Sequence, residues 1–171
     1  MSRVSAWFER KFDFSLPVQL YPNLLTRLRG TPARLEELVR GRPMETMVRK
    51  ENGKWSAQEH AGHLGDLEPL WLARVQDFTT GGAELTAADL KNQKTHSANH
   101  NAHPVEEILA DFRRKRAALL HRVENAAPEM FGCTMLHPRL KQPMRLVDHL
   151  YFVAEHDDHH LAQIWELINK G

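Results

Sequence analysis

The stretch from Ser56 to Gly82 constrains the fold more than any other. Ser56-Ala57-Gln58-Glu59 has the spacing of a capping box, in which a serine hydroxyl and a glutamate three residues on satisfy two backbone donors at a helix start. From there Ala57, Ala61, Leu64, Leu67, Trp71, Val75 and Phe78 recur at steps of three and four until Gly81-Gly82 ends the run. A stripe this long, apolar on one face only, needs other helices to cover it.

Three more segments supply them. Residues 17–41 carry Leu20, Leu24, Leu28, Leu35, Leu38 and Val39, and Gly30-Thr31-Pro32 predicts a kink or restart, with Thr31 as N-cap and Pro32 at the first helical position. Pro104 opens a third helix with Val105, Ile108, Leu109, Phe112, Leu119 and Val123 inward and the basic run Arg113 to Arg116 as a largely solvated face. Pro128, Pro138 and Pro143 keep 128–144 irregular, and a fourth helix is predicted from about Met144 to Asn169. The one strand alternative is a short extended pair around 46–50 and 131–136. The expectation is therefore an all-α four-helix bundle, one domain over residues 1–171, with a long connection at 81–103 between the second and third helices. A connection of that length is functional, mobile, or a crossover between distant helix ends.

Composition removes several function classes. Lys plus Arg number 23 against 22 for Asp plus Glu, so no summed field draws a polyanion, and nucleic acid is not expected as a partner. No window approaches the roughly 18 uninterrupted apolar residues of a membrane span. The N-terminus lacks the apolar stretch of a signal peptide. Cys133 is the only cysteine, which rules out an intrachain disulfide and multi-cysteine zinc patterns and points to a reducing cytoplasm. A chain of 171 residues buries a sufficient core unaided, so a bound metal would serve function and not folding.

Eleven histidines then invite a search for geometry. In Glu155-His156-Asp157-Asp158-His159-His160, His156 and His160 stand on neighbouring turns of one helix face, with Cβ atoms about 5–6 Å apart, a separation that lets both imidazoles reach one ion. The same helix has an apolar seam of Leu146, Leu150, Val153, Ile164 and Leu167, which Asp157 and His160 interrupt. Polar groups buried there need partners: each other, water or a metal. His149 lies about 10.5 Å along the axis from His156, too far to share its ion, and His159 points to the other side, toward solvent. A third ligand must come from another helix, and both His60 and His63 lie near the stripe of the second. The helical wheel does not choose between them. His96, His100 and His103 read as solvated loop residues, Cys133 has no assignable base, and Trp55, Trp71 and Trp165 read as packing residues.

Trp55-Ser56 leading into Glu59 and His63-Leu64, with a late His156-x-x-x-His160 followed by Gln163-Ile164, resembles the DinB-like superfamily, from Leu28-Arg29-Gly30-Thr31-Pro32 through the final helix. The resemblance implies a four-helix bundle, commonly dimeric, with a divalent metal such as zinc or nickel held by His63, His156 and His160. Glu59, Asp66 and Asp157 match polar positions near such sites, and Asp157 would orient a ligand imidazole or accept a proton. The superfamily includes thiol-dependent transferases, an isomerase using a low-molecular-weight thiol, and hydrolases. The expectation is a metal-dependent enzyme on a small-molecule substrate, with thiol chemistry ahead of hydrolysis. The alternative is a noncatalytic, stress-associated bundle that holds metal or a ligand.

Overall fold

The structure is a computed structural model that describes residues 4–170. It contains six α-helices: α1 (Tyr21–Val39), α2 (Met44–Val48), α3 (Ala57–Thr80), α4 (Gln93–Ala98), α5 (Val105–Glu124) and α6 (Leu146–Asn169). The four long ones form the predicted bundle. The capping box closes as expected: Ser56 Oγ accepts from Glu59 N at 3.1 Å and Glu59 Oε2 from Ser56 N at 2.9 Å. Around the bundle the neighbours run α1, α6, α3, α5, so α1 and α3 face each other across a diagonal. Cross-helix contacts fix the directions. Glu68 meets Arg116 and Thr79 meets Arg122, so α3 and α5 run parallel, whereas Trp71 meets His149 and His63 meets His160, so α3 and α6 run antiparallel.

Parallel neighbours joined in sequence require a crossover, and residues 81–103 supply it. They return to the start of α3, where Gln58 Nε2 donates to the carbonyls of His100 (2.7 Å) and His103 (2.8 Å) and Ser56 Oγ donates to Asn101 (2.7 Å).

The predicted restart at Thr31 does not occur; α1 runs unbroken through Pro32. Proline removes the donor that Leu28 O would otherwise find. Arg116 Nη1 replaces it at 3.0 Å. Arg116 also holds Glu68 through Nε and Nη2 and Asp157 through Nη1 and Nη2, while Thr31 Oγ1 donates to Asp157 at 2.8 Å. All three charged groups are at most 1% exposed. One guanidinium thus ties α1, α3, α5 and α6 together, with every N–H satisfied.

This knot lies in a polar layer between two apolar clusters. In α3 the layer separates Leu64 from Trp71, and in α6 it separates Ala154 from Leu161. The expected extended pair is corrected in one partner. Thr134–Leu136 (β1) pairs antiparallel with Pro143–Arg145 (β2), and residues 44–48 are helical. Met135 and Met144 lie opposite each other and face the core, and the tight turn between the strands, with Lys141 in the left-handed region, fixes the register.

Candidate metal centre and its cavity

His63 from α3 and His156 and His160 from α6 converge in the polar layer, 3%, 3% and 5% exposed. The ring centroids of His63 lie 5.3 Å from His156 and 4.7 Å from His160. Each ring offers one nitrogen such that all three lie within 4.8 Å of one another. His156 Nε2 and His160 Nε2 are 3.1 Å apart. For metal–nitrogen bonds of about 2.0–2.1 Å, neighbouring ligands of a tetrahedral ion stand about 3.3 Å apart, so this edge matches.

Surrounding residues set which nitrogen each ring offers. His63 Nδ1 is 2.9 Å from Thr95 Oγ1, which donates to Asp66 Oδ2 at 2.9 Å; the hydroxyl therefore accepts from His63 Nδ1–H and leaves Nε2 with its lone pair. His160 Nδ1 lies 2.8 Å from His60 Nδ1; where His160 is the donor of that hydrogen bond, its Nε2 is free to ligate. His156 Nδ1 is buried without a hydrogen-bond partner and its Nε2 faces His160 Nε2, the edge that a cation held by both rings would occupy. Burial, the largest cause, pushes His63 down to about 3 and His156 and His160 well below the usual histidine value, reinforced by neighbouring histidines. The rings are neutral at neutral pH, the form that ligates a metal. Donor set, spacing and protonation fit one divalent ion.

The centre lies against a cavity of about 690 Å³, a volume that suits a small organic molecule. Trp55, Trp71, Phe152 and Leu67 wall it, and Trp7 and Phe8 from the N-terminal segment close one side. Trp7 sits edge-on to both Phe152 and His156 at 5.1 Å. Arg74, His137 and Arg139 form the far wall.

The sequence model of the DinB superfamily matches residues 27–164. The chain belongs to the DinB superfamily. Among solved structures it is similar to YfiT from Bacillus subtilis, described as "a probable metal-dependent hydrolase with an unusual four-helix bundle topology", at 20% identity over 93% of this chain and 91% of that one, with a TM-score of 0.80. The likeness is one of fold. No curated protein matches the sequence.

Within this DinB bundle the predicted site residues are placed as follows. His63, His156 and His160 are brought together; Asp157, expected to orient an imidazole or act as a base, turns away, both its oxygens engaged by Arg116 and Thr31. His60 contacts the centre through His160. His159, expected toward solvent, is half-buried and lines the cavity, with burial pushing it down to about 4. His100, expected as a solvated loop residue, packs on α3 with Nε2 2.8 Å from Asp66 Oδ2. Gly62 makes this approach possible, because a Cβ there would overlap the His100 ring. Trp55 and Trp71 line the cavity in addition to packing. Sequence reasoning missed Trp7, Arg74, His137 and Arg139. Trp7, Phe8, Phe12 and Phe14 lie close together outside any helical period, and such a group needs a surface to cover.

Proposed function

We propose that the protein is a metal-dependent enzyme acting on a small molecule, with one divalent ion such as zinc or nickel held by His63, His156 and His160. The observation that carries this is the convergence of three buried neutral imidazoles on one side of a cavity of about 690 Å³. An ion so bound keeps a position open, where it acidifies water or holds a thiol as thiolate. The Thr95–Asp66 pair fixes the His63 tautomer, His60 holds the His160 ring, and Trp55 packs on His63 at 4.7 Å. The His159 side chain makes no hydrogen bond to any described residue, and its ring, edge-on to His160 at 5.1 Å, lines the cavity, where we assign it the role of proton acceptor.

The nucleophile we propose first is a low-molecular-weight thiol, attacking an electrophile in a transferase or isomerase reaction. Aromatic walls favour it, since they shelter the reacting groups from water. Hydrolysis is the second reading, favoured by the base position of His159 and by the name given to YfiT. A noncatalytic metal- or ligand-binding bundle is the remaining alternative, and the cavity beside the donor set speaks for the enzyme. The proposal includes a homodimer, for which Trp165, 54% exposed on α6, offers an aromatic anchor; a dimer mass by light scattering at micromolar concentration is the expected result. It also includes a cytoplasmic location without nucleic-acid partners, on the single cysteine and near-zero net charge. No helix of the described residues is long and apolar enough to cross a membrane.

The test compares metal-replete and metal-stripped protein across several thiols with an alkylating electrophile, and in parallel on activated esters without thiol. Metal-dependent thiol consumption supports the first reading and metal-dependent ester cleavage the second. Equal rates with and without metal in both arms would return the protein to the noncatalytic reading.

A further inference from the structure

The far wall of the cavity consists of hydrogen-bond donors that face one another. Arg74 is 1% exposed; its Nε donates to Thr86 O at 2.8 Å and its Nη1 lies 3.2 Å from His137 Nε2. His137 Nδ1 accepts the backbone N–H groups of Arg139 (3.2 Å) and Leu140 (3.1 Å). A neutral imidazole that accepts at Nδ1 carries its proton on Nε2. Burial, followed by the charges of Arg74 and Arg139, pushes His137 down to about 3, so the ring is neutral. His137 Nε2–H therefore meets an arginine N–H, and neither has a lone pair for the other.

A third donor completes the set. Arg139 Nη2 is buried without a hydrogen-bond partner, and the guanidinium lies over the rings of Phe8 (5.2 Å) and Phe152 (6.0 Å). The nearby carboxylates are engaged elsewhere: Asp77 Oδ2 accepts from Thr86 N at 2.7 Å, and Asp89 accepts from the backbone of Lys91 and Gln93. Buried donors lacking acceptors cost free energy in the empty site, and an oxyanion among them removes that cost while offsetting two positive charges.

We propose that Arg74, His137 and Arg139 bind the anionic group, a carboxylate or a phosphate, of the small molecule on which the protein acts. Trp71 links this wall to the histidine centre: its ring lies 5.4 Å from His156 and 5.5 Å from the Arg74 guanidinium. A compact acid in the same cavity reaches both. The reacting end of this assignment rests on the metal-dependent reading; the anion-binding wall does not.

The experiment is calorimetric titration of the full-length protein with benzoate, phenylphosphonate and uncharged benzamide. At least one anion should bind tenfold or more tightly than benzamide, and the tighter of the two identifies the oxyanion class. Arg139→Met, which alters a partly exposed side chain and should remain folded by circular dichroism, should remove the preference, and Arg139→Lys should restore part of it. His156→Ala should keep it while losing the metal; metal retained in that variant with the anion preference intact would sink the metal assignment and leave this one standing. Nitrogen-15 spectra should show His137 with its proton on Nε2. Benzamide binding as tightly as both anions, an unchanged preference in Arg139→Met, a preference lost in His156→Ala, or a proton on His137 Nδ1 would each overturn the proposal.

Discussion

Replacing Arg116 with methionine should be the most damaging single change to the bundle outside the two apolar clusters. The substitution keeps much of the stem's volume but leaves Glu68 and Asp157, 1% and 0% exposed, with no cation between them. Removing one partner of a buried ion pair costs about 3–5 kcal/mol, because the remaining charge stays desolvated. Leu28 O also loses its donor, an orphaned carbonyl that costs about 1–3 kcal/mol. The combined loss is comparable with the roughly 5–15 kcal/mol that stabilises a whole domain, and corresponds to a melting temperature lower by roughly 10–30 °C. Urea titration followed by circular dichroism at pH 8 and pH 5.5 measures it. Burial already raises Glu68 to about 7, against the pull of Arg116. Without the guanidinium Glu68 rises further, so the stabilising effect of its protonated form is present at low pH and lost as pH increases through the folded-state value. The deficit relative to the parent protein should therefore shrink at pH 5.5. A variant within 1 kcal/mol of the parent at pH 8, or a deficit equal at both pH values, would refute this view of the knot.

Three further outcomes are expected. His60→Ala should weaken metal binding by about 10–100-fold, the usual consequence of losing a partner that orients a ligand imidazole, whereas His156→Ala should remove most of it; competition with a chelating dye separates the two. Metal-free protein should lose stability as pH falls from 6.5 toward 3, because fully buried His149 is pushed down to about 3 while its unfolded counterpart takes up a proton near 6.5; that one residue contributes a slope of up to about 1.4 kcal/mol per pH unit, and urea midpoints at pH 7, 6 and 5 would contradict it by staying level. Gly62→Ala should displace His100 from Asp66 and destabilise the protein by about 1–3 kcal/mol while lowering metal affinity; an unchanged His100 resonance in the variant would argue against that contact.

The long helices were legible because their signals are local. A capping box, a three-and-four stripe and a terminal glycine pair all lie within α3 itself, and the His156/His160 pair follows from helix pitch alone. Pro32 misled for the opposite reason. Its missing donor is compensated by Arg116, 84 residues later in the chain, and no local pattern reveals that partner. Asp157 was rightly read as a buried polar group in need of company, but the wheel does not show which neighbouring helix supplies it, and Arg116 sat in a run that looked solvated. The choice of His63 over His60 came from family resemblance, and the two differ in the structure by whether the ring meets Thr95 or His160. The cavity walls were the least legible part. Trp7, Arg74 and Arg139 come from the N-terminal segment, a helix and a hairpin turn, and only the tertiary fold brings them to one space.

The metal centre is tested most directly by X-ray absorption at the metal edge on full-length protein purified without a histidine tag. About one equivalent of a single divalent metal is expected, with three imidazole nitrogens at about 2.0–2.1 Å and one exchangeable light ligand, and with the imidazole signal lost in His156→Ala. A protein that takes up less than about a tenth of an equivalent of zinc, nickel, cobalt or manganese, or a bound metal whose imidazole signal survives in His156→Ala, would contradict the account.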